Sequence, residues 1–258
     1  MERLKEIYAY REMIVSLVKR DLKGRYKGSF LGFLWTFLNP LLQLAVYTMV
    51  FSTIMRAGIE DYYLFLFVAL IPWIFFSTSL TGGASCILAQ QDMVKKIYFP
   101  REVLPVSYVT SQFVNMLLSF VVIFLVLAIA GYPLRPNAVF CLPLIMVVEY
   151  VLALGFTMVM SAVTVYIRDL EYILGILTMA WQFLTPILYA IEQAPEEVRW
   201  IFWVNPMTYV ITAYRDILYY GKMPRLETLA SAAATGIVML AVGWLIFHRL
   251  QRRFVEEL

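Results

Sequence analysis

The sequence has little of what a catalytic or metal-binding protein needs. Its 258 residues include one histidine, His248, and two cysteines, Cys86 and Cys141. Without a histidine–cysteine cluster we predict no metal site, and His248 beside Arg249 disfavours a Ser-His-Asp arrangement. No G-x-x-x-x-G-K-[ST] motif occurs, so the chain has no nucleotide-binding P-loop of its own. We therefore predict that this chain is not an enzyme.

Charge is also scarce. Charged residues make up 15% of the chain and hydrophobic residues 62%, and the mean hydropathy is +0.75. A soluble domain of this length would expose too much apolar surface, so the composition predicts a polytopic membrane protein. The apolar runs are too long, and alternate too little, for barrel strands. The predicted fold class is therefore all-α.

Six apolar runs are long enough to be membrane spans, because crossing a hydrocarbon core of ~30 Å takes about 20 helical residues. They cover residues 30–55, 63–88, 103–130, 138–166, 172–191 and 229–248. Prolines inside the first two runs predict kinks. The whole chain, residues 1–258, is predicted to form a single transmembrane domain.

The distribution of basic residues predicts the orientation in the membrane. Fifteen Lys and Arg residues fall on the side that holds both termini, and six fall on the opposite side. By the positive-inside rule, both termini are predicted to be cytoplasmic. Cys86 and Cys141 then lie at opposite ends of the membrane, and we expect no disulfide between them.

Two segments outside the runs have patterns of their own. Residues 1–29 are too polar for a cleavable signal, and apolar residues recur there at roughly helical spacing. This pattern predicts a helix lying in the cytoplasmic membrane interface. Residues 192–228 mix polar stretches with short apolar ones around Asn205-Pro206. We expect two short re-entrant helices that dip in from the external side, with a surface loop as the alternative.

A short charged stretch, residues 90–106, separates the second and third runs, and we call it the polar island. It carries Asp92, Lys95, Lys96, Arg101 and Glu102, with aromatic residues among the charges. We interpret it as a short helix that a cytoplasmic partner grips to transmit force. The alternative is a solvated loop whose lysines only fix the topology.

Five stretches in this order resemble one known family. They are KRDLKGRYKGSFLGFLWTFLNPL (19–41), IPWIFFS (71–77), KKIYFPREVLP (95–105), IRDL (167–170) and WVNPMTYVITAYRDIL (203–218). The chain resembles the membrane subunit of ABC exporters that carry polysaccharides or polyol phosphates, such as O-antigen or teichoic-acid-like polymers. The resemblance covers essentially the whole chain.

The resemblance implies partners, a cargo and a location. Two copies of this chain would assemble with two cytoplasmic ATPase subunits, which would hold ATP and magnesium, so no cofactor is expected here. The cargo would be a glycan linked to undecaprenyl pyrophosphate, handled among the lipids of a bacterial cytoplasmic membrane, with no nucleic acid partner. The polar island would contain the helix that couples to the ATPase. The coupling residues would be Asp92, Met93, Lys95, Lys96, Tyr98, Phe99, Arg101 and Glu102.

A long glycan needs a continuous passage in which it can slide, and aromatic rings offer rigid faces for sugars without trapping them. The candidate channel-lining residues on the first and fifth runs are Trp35, Phe37, Tyr47, Phe51, Trp181, Phe183 and Tyr189. The alternative is that these rings are interfacial anchors or packing residues.

A basic cluster ends the N-terminal segment where a lipid headgroup would meet the bundle. Its members are Lys19, Arg20, Lys23, Arg25 and Lys27. Lysine and arginine there would attract a pyrophosphate, and arginine adds bidentate geometry. Ordinary positive-inside anchoring is the alternative.

Several polar residues lie inside predicted spans, and three of them are candidates for the interior. Glu149 is expected to face the interior, where it would stay protonated, pair with an arginine of the 192–228 segment, or contact substrate hydroxyls. Asn39 and Gln43 are expected to form interhelical hydrogen bonds, with glycan contact as the alternative.

Two other functions compete with polysaccharide export. An ABC exporter of small lipids or drugs would need no headgroup site at the basic cluster. An ion-coupled carrier would transport without an ATPase and would need buried ionisable pairs, which Glu149 alone does not supply.

Overall fold

The computed structural model describes residues 2–132 and 135–258, and every regular element in these two stretches is helical. The α-helices are α1 Glu2–Ala9, α2 Arg11–Tyr26, α3 Trp35–Thr48, α4 Tyr62–Ala84, α5 Gln91–Lys96, α6 Val103–Ile129, α7 Pro136–Val139, α8 Leu142–Tyr166, α9 Leu170–Phe183, α10 Trp200–Val204, α11 Pro206–Leu218, α12 Leu226–Leu250 and α13 Phe254–Glu257. A π-helical turn, Met49–Ile54, extends α3. The prediction of an all-α fold is confirmed.

Within residues 2–132 and 135–258, five helical stretches are long and apolar enough to cross a membrane. They are Gly32–Ile54, Tyr62–Ala84, Val103–Ile129, Pro136–Tyr166 and Leu226–Glu257. These correspond to the predicted runs 30–55, 63–88, 103–130, 138–166 and 229–248. The chain is a multi-pass membrane protein.

The predicted fifth run, 172–191, differs from its expected form. Its helix α9 has 14 residues, a length of about 21 Å, which is less than a hydrocarbon core. The helix ends at Phe183, three residues before Pro186, which has no N–H and disfavours a helical residue before it. Residues 184–190 are irregular, so the expectation of one continuous helix over 172–191 is wrong.

Helix α4 lies at the centre of the bundle. It packs against α3, α6, α8, α9 and α11, and most of its side chains are buried. By contrast, α3 buries only Thr36, Pro40 and Leu44, and α9 buries only Leu174 and Thr178. Helices α3 and α9 therefore form the periphery of a single chain.

The closest helix pair is α8 with α12. A side chain at Gly155 would clash with the backbone of Met239, and one at Gly243 would clash with the backbone of Gly155. Only glycine allows these backbones to approach so closely, so α8 and α12 pack as one unit.

The N-terminal segment is two helices rather than one, because the chain turns at Tyr10. Met13, Ile14 and Leu17 on α2 pack against the core, and α2 lies against α6. The basic side chains Lys19, Arg20 and Lys23 on the other face are exposed.

The 192–228 segment contains the two short helices expected there, α10 and α11. Met207, Val210, Ile211, Tyr214 and Ile217 of α11 are fully buried. Because α11 packs against α4, α8 and α12, the alternative of a surface loop is wrong for residues 206–218. The cysteines Cys86 and Cys141 are both free thiols.

Candidate functional site

The polar island divides into an exposed part and a part that faces the bundle. Helix α5 exposes Asp92, Lys95 and Lys96 and buries Val94, while Met93 is half-buried. Tyr98 follows with 87% of its surface exposed. The exposed part is available to a partner.

The second part of the island packs against the C-terminal turn. Phe99 and Glu102 are buried, and the Arg101 guanidinium donates to the carbonyl of Gln251. The Gln251 amide donates to a Glu102 carboxylate oxygen at 2.8 Å. Desolvation lowers the pKa of Arg101 below its usual value. Of the predicted coupling residues, Phe99, Arg101 and Glu102 therefore face their own chain. Nothing in the sequence singled out Gln251.

The basic cluster is also divided. Lys19, Arg20, Lys23 and Lys27 are exposed, whereas Arg25 turns toward α6. Its guanidinium donates to Asp21 at 2.8 Å and to the Gln112 side-chain oxygen at 2.9 Å, and Ser111 donates to the same Asp21 oxygen. Arg25 thus fixes α2 to α6 and is a less available ligand than the lysines.

A cavity of about 200 Å³ lies between α3, α4 and α6, beside Arg25. Much of its lining is polar, which is unusual within membrane-spanning helices. The polar side chains around it are Arg25, Trp35, Thr36, Asn39, Gln43, Thr78, Gln112, Asn115 and Ser119. Asn39 and Gln43 are also exposed on α3, so this cavity joins the polar surface of the first span.

Each predicted channel-lining aromatic residue of the first span contacts a different side chain of the same chain. The Trp35 indole donates to Ser29 at 3.0 Å, and Phe37 packs edge-on against Phe33. The Tyr47 hydroxyl accepts from the Gln182 amide at 3.4 Å, which makes α3 and α9 neighbours. Phe51 stacks on Tyr62 of α4.

The aromatic residues of the α9 region differ from one another. Trp181 packs edge-on against Phe76 and Phe156, and its indole donates to Asn205 at 2.9 Å. Phe183 is 53% exposed. Tyr189 donates to the carbonyl of Phe183 at 2.5 Å. Trp181 therefore has the contacts of a packing residue, and Phe183 is free to meet another molecule.

Glu149 is completely buried, as expected, but its partner is not an arginine. The Tyr214 hydroxyl of α11 donates to one carboxyl oxygen of Glu149 at 2.7 Å. Among the described residues, no hydrogen-bond partner reaches the other oxygen. Of the three roles considered for Glu149, pairing with an arginine is not seen, because Arg215, which follows Tyr214, donates to the carbonyl of Ile187 instead.

Arg215 holds the irregular segment 184–190. Its guanidinium donates to the carbonyl of Ile187 at 2.6 Å and lies 3.5 Å from the centre of the Phe65 ring. Asn205 donates to the carbonyl of Leu184 at 3.1 Å, and Tyr62 donates to that of Leu188 at 2.7 Å. Side chains thus satisfy carbonyls that a continuous helix would have satisfied. From the sequence, Arg215 is one of the six basic residues predicted on the side opposite the termini, and nothing there indicates this role.

Comparison with known proteins decides the family. Residues 12–219 match the family described as ABC-2 type transporter. The chain belongs to the ABC-2 type transporter family. The family resemblance inferred from the sequence motifs is therefore confirmed.

Relatives of this ABC-2 transporter chain extend over nearly its whole length. The O-antigen export system permease protein RfbA of Myxococcus xanthus is 39% identical over 257 residues, covering 99% of this chain and 98% of the relative. The Klebsiella pneumoniae protein of the same name is 34% identical, covering 96% and 95%. The polysialic acid transport protein KpsM of Escherichia coli is 22% identical, covering 91% and 92%.

Proposed function

We propose that this chain is the permease subunit of an ATP-driven exporter of polysaccharide. The relatives are named for O-antigen export and polysialic acid transport, and they align over nearly the whole chain. The observation that carries the proposal is the exposure of Asn39 and Gln43 on a membrane-spanning helix. Amide groups facing hydrocarbon are unfavourable, so this surface suits a polar passage better than lipid.

The passage would form between two copies of the chain. Helices α3 and α9 are neighbours through Tyr47 and Gln182 and expose most of their side chains. Together they offer one surface, with Asn39, Gln43 and Phe183 on it, to a second copy. Amides and an aromatic ring facing each other across the dimer would let sugars slide past weak, repeated contacts.

The chain would cross the cytoplasmic membrane six times, with both termini inside the cell. A groove lined by Glu6, Tyr98, His248 and Gln251 supports this arrangement, because it brings both ends of the chain to the polar island. Termini on one side require an even number of crossings. Helix α9 with the segment 184–190 would supply the sixth crossing, and the Tyr62–Leu188 hydrogen bond beside the start of α4 supports that path.

The partner would be a cytoplasmic ATPase subunit, two copies per exporter, carrying ATP and magnesium. Its contact would be the exposed part of the polar island, with Asp92, Lys95, Lys96 and Tyr98. Closure of the ATPase dimer on ATP would displace α5 and open the passage.

The cargo would be a glycan on undecaprenyl pyrophosphate, received at the cytoplasmic surface. The exposed lysines Lys19, Lys23 and Lys27, with Arg20, would attract the pyrophosphate, each by roughly 1 kcal/mol. Arg25 would hold α2 in position at the mouth of the polar cavity. The first sugars could then reach the amides of Asn39 and Gln43.

Deleting the gene in its own host tests the function. We expect surface polysaccharide to disappear and lipid-linked polymer to accumulate inside the cell, with both effects reversed by the wild-type gene. An exporter of small lipids or drugs would leave surface polysaccharide unchanged.

Crosslinking tests the partner. Cysteines at Lys95 or Tyr98 should capture the co-expressed ATPase, whereas a cysteine at the buried Phe99 serves as the matched control. Failure at both exposed positions would contradict the proposed coupling surface.

A further inference from the structure

The C-terminal turn after α12 is fixed to the polar island by a compact set of contacts. Gln251 is at their centre: its backbone carbonyl accepts from Arg101, and its side-chain amide donates to Glu102 at 2.8 Å. The same amide nitrogen lies 3.1 Å from Nδ1 of His248. Gln251 is 7% exposed and Glu102 is 1% exposed. Both are therefore shielded from competing water.

Aromatic contacts extend this attachment. The Arg101 guanidinium lies 5.9 Å from the centre of the Phe254 ring. Phe254 is fully buried against Phe247 of α12 and Tyr166 at the end of α8. The Tyr166 hydroxyl donates to the carbonyl of Leu250 at 2.8 Å. One turn of chain thus joins the polar island to the cytoplasmic ends of α8 and α12.

The position of this attachment in the bundle suggests its use. The polar island is covalently continuous with α4 and α6, so any displacement of α5 acts on those two helices directly. Helix α12 packs mainly against α8 and α11, and α8 and α12 form a unit through Gly155 and Gly243. The Gln251 contacts with Arg101 and Glu102 join that unit directly to the polar island, beside the packing of α8 against α4 and α6.

We propose that Gln251 is a positioning residue that makes the α8–α12 unit follow the polar island when the ATPase moves it. This proposal rests on the proposed function, since it assumes that a partner displaces α5. Breaking the attachment would leave ATP hydrolysis in place and lower the amount of polymer exported per ATP hydrolysed. A purely structural attachment would instead lower assembly, hydrolysis and export together.

Exchanging the side chains of Glu102 and Gln251 tests the proposal. Gln251→Glu sets two carboxylates against each other, whereas the double variant Glu102→Gln/Gln251→Glu restores an amide–carboxylate pair in the reverse order. We expect roughly a tenfold fall in export per ATP for Gln251→Glu, because hydrogen bonds to charged groups are among the stronger ones. The double variant should recover most of it. Arg253→Gln, an exposed position in the same turn, is the matched control.

The assembled complex and its ATPase rate are measured beside export. Unchanged export per ATP in Gln251→Glu, or no recovery in the double variant, would overturn the proposal. Loss of assembled complex in step with loss of export, in Gln251→Met as well as in Gln251→Glu, would also overturn it, because the attachment would then be only structural. If Gln251→Glu does not assemble, Gln251→Met, which keeps the size without the hydrogen bonds, is judged by the same criteria.

A distance measurement separates this proposal from the proposed function. Spin labels at Gln91 and Arg249, in a chain with Cys86→Ala and Cys141→Ala, are diluted with unlabelled chain in the assembled complex. In the chain that keeps Gln251, the distance between the labels at positions 91 and 249 should not change when ATP binds. In the Gln251→Glu chain it should change. Equal changes in both would overturn the attachment. Absence of polysaccharide export by the wild type would contradict the proposed function alone.

Discussion

The Tyr214 hydroxyl reaches across from α11 to donate a 2.7 Å hydrogen bond to Glu149 of α8, and both side chains are fully buried. This pair anchors a short helix of the 192–228 segment inside the bundle. Arg215, one residue further, holds the irregular segment 184–190 by its bond to the carbonyl of Ile187. Neighbouring residues on one helix thus hold two different parts of the bundle.

Removing the Tyr214 hydroxyl should destabilise the protein. Tyr214→Phe leaves Glu149 buried without its partner, and we expect a loss of about 1–3 kcal/mol. The double variant Glu149→Leu/Tyr214→Phe removes both polar groups and should lose less than Tyr214→Phe. Thermal unfolding of the purified complex measures both, with the half-exposed Tyr220→Phe as control. A double variant less stable than the single one would contradict this account.

Arg215 should be needed for assembly. Arg215→Met removes the donor to the Ile187 carbonyl and the stacking on Phe65, and a stability loss of about 1.5–3 kcal/mol is expected. Arg215→Lys keeps the charge without the planar stacking, so its stability should lie between those of the wild type and Arg215→Met. Yield and melting temperature of the complex provide the measurement. Arg225→Gln, an exposed residue, should behave as wild type; an equal loss there would remove the special role of Arg215.

Alanine substitutions of Trp181 and Phe183 should have different effects, the first on stability and the second on transport. Trp181→Ala removes a ring packed on Phe76 and Phe156, and we expect a loss of about 3 kcal/mol in stability. Phe183→Ala should change stability by no more than about 0.5 kcal/mol, as at other exposed positions, yet reduce polymer flux. Parallel unfolding and export assays make the comparison. If flux is indifferent to Phe183, this ring does not line the passage.

Substitutions in the basic cluster should also differ in effect, with the exposed lysines affecting transport and Arg25 affecting assembly. Reversing the exposed Lys19, Lys23 and Lys27 to Glu should lower export and binding of the lipid-linked glycan while the complex still assembles. Arg25→Gln should loosen α2 from α6 and lower assembly, because it loses the contacts with Asp21 and Gln112. Titration with undecaprenyl pyrophosphate in nanodiscs gives the affinity. Equal binding by the triple variant and wild type would dismiss the lysine site.

The features that follow from long apolar runs were predictable from the sequence. Five of the six predicted spans match helices, since about 20 consecutive apolar residues have few other folds in a membrane. The fifth predicted span is not one continuous helix, because Pro186 ends α9. The backbone carbonyls of the irregular segment 184–190 accept hydrogen bonds from Asn205, Arg215 and Tyr62, which come from distant parts of the chain. Hydropathy does not contain that tertiary information.

The side-chain directions at the candidate site were not predictable. Composition groups Arg25 with three lysines and Arg20, and Trp181 with Phe183, but packing turns Arg25 and Trp181 inward and leaves the others exposed. Gln251 was missed because a single glutamine in a basic stretch has no pattern; only its three-dimensional neighbours, Arg101 and Glu102, make it notable. Periodicity finds the helices, and long-range contacts decide what each residue touches.

The central claim is that this chain exports polysaccharide only with force from an ATPase acting on the polar island. The direct test is reconstitution of the purified chain into liposomes, with and without its ATPase, supplied with lipid-linked glycan on the cytoplasmic side. We expect glycan to reach the opposite side only when the ATPase and ATP are both present. Export by the chain alone, or none by the complete complex with ATP, would contradict the account.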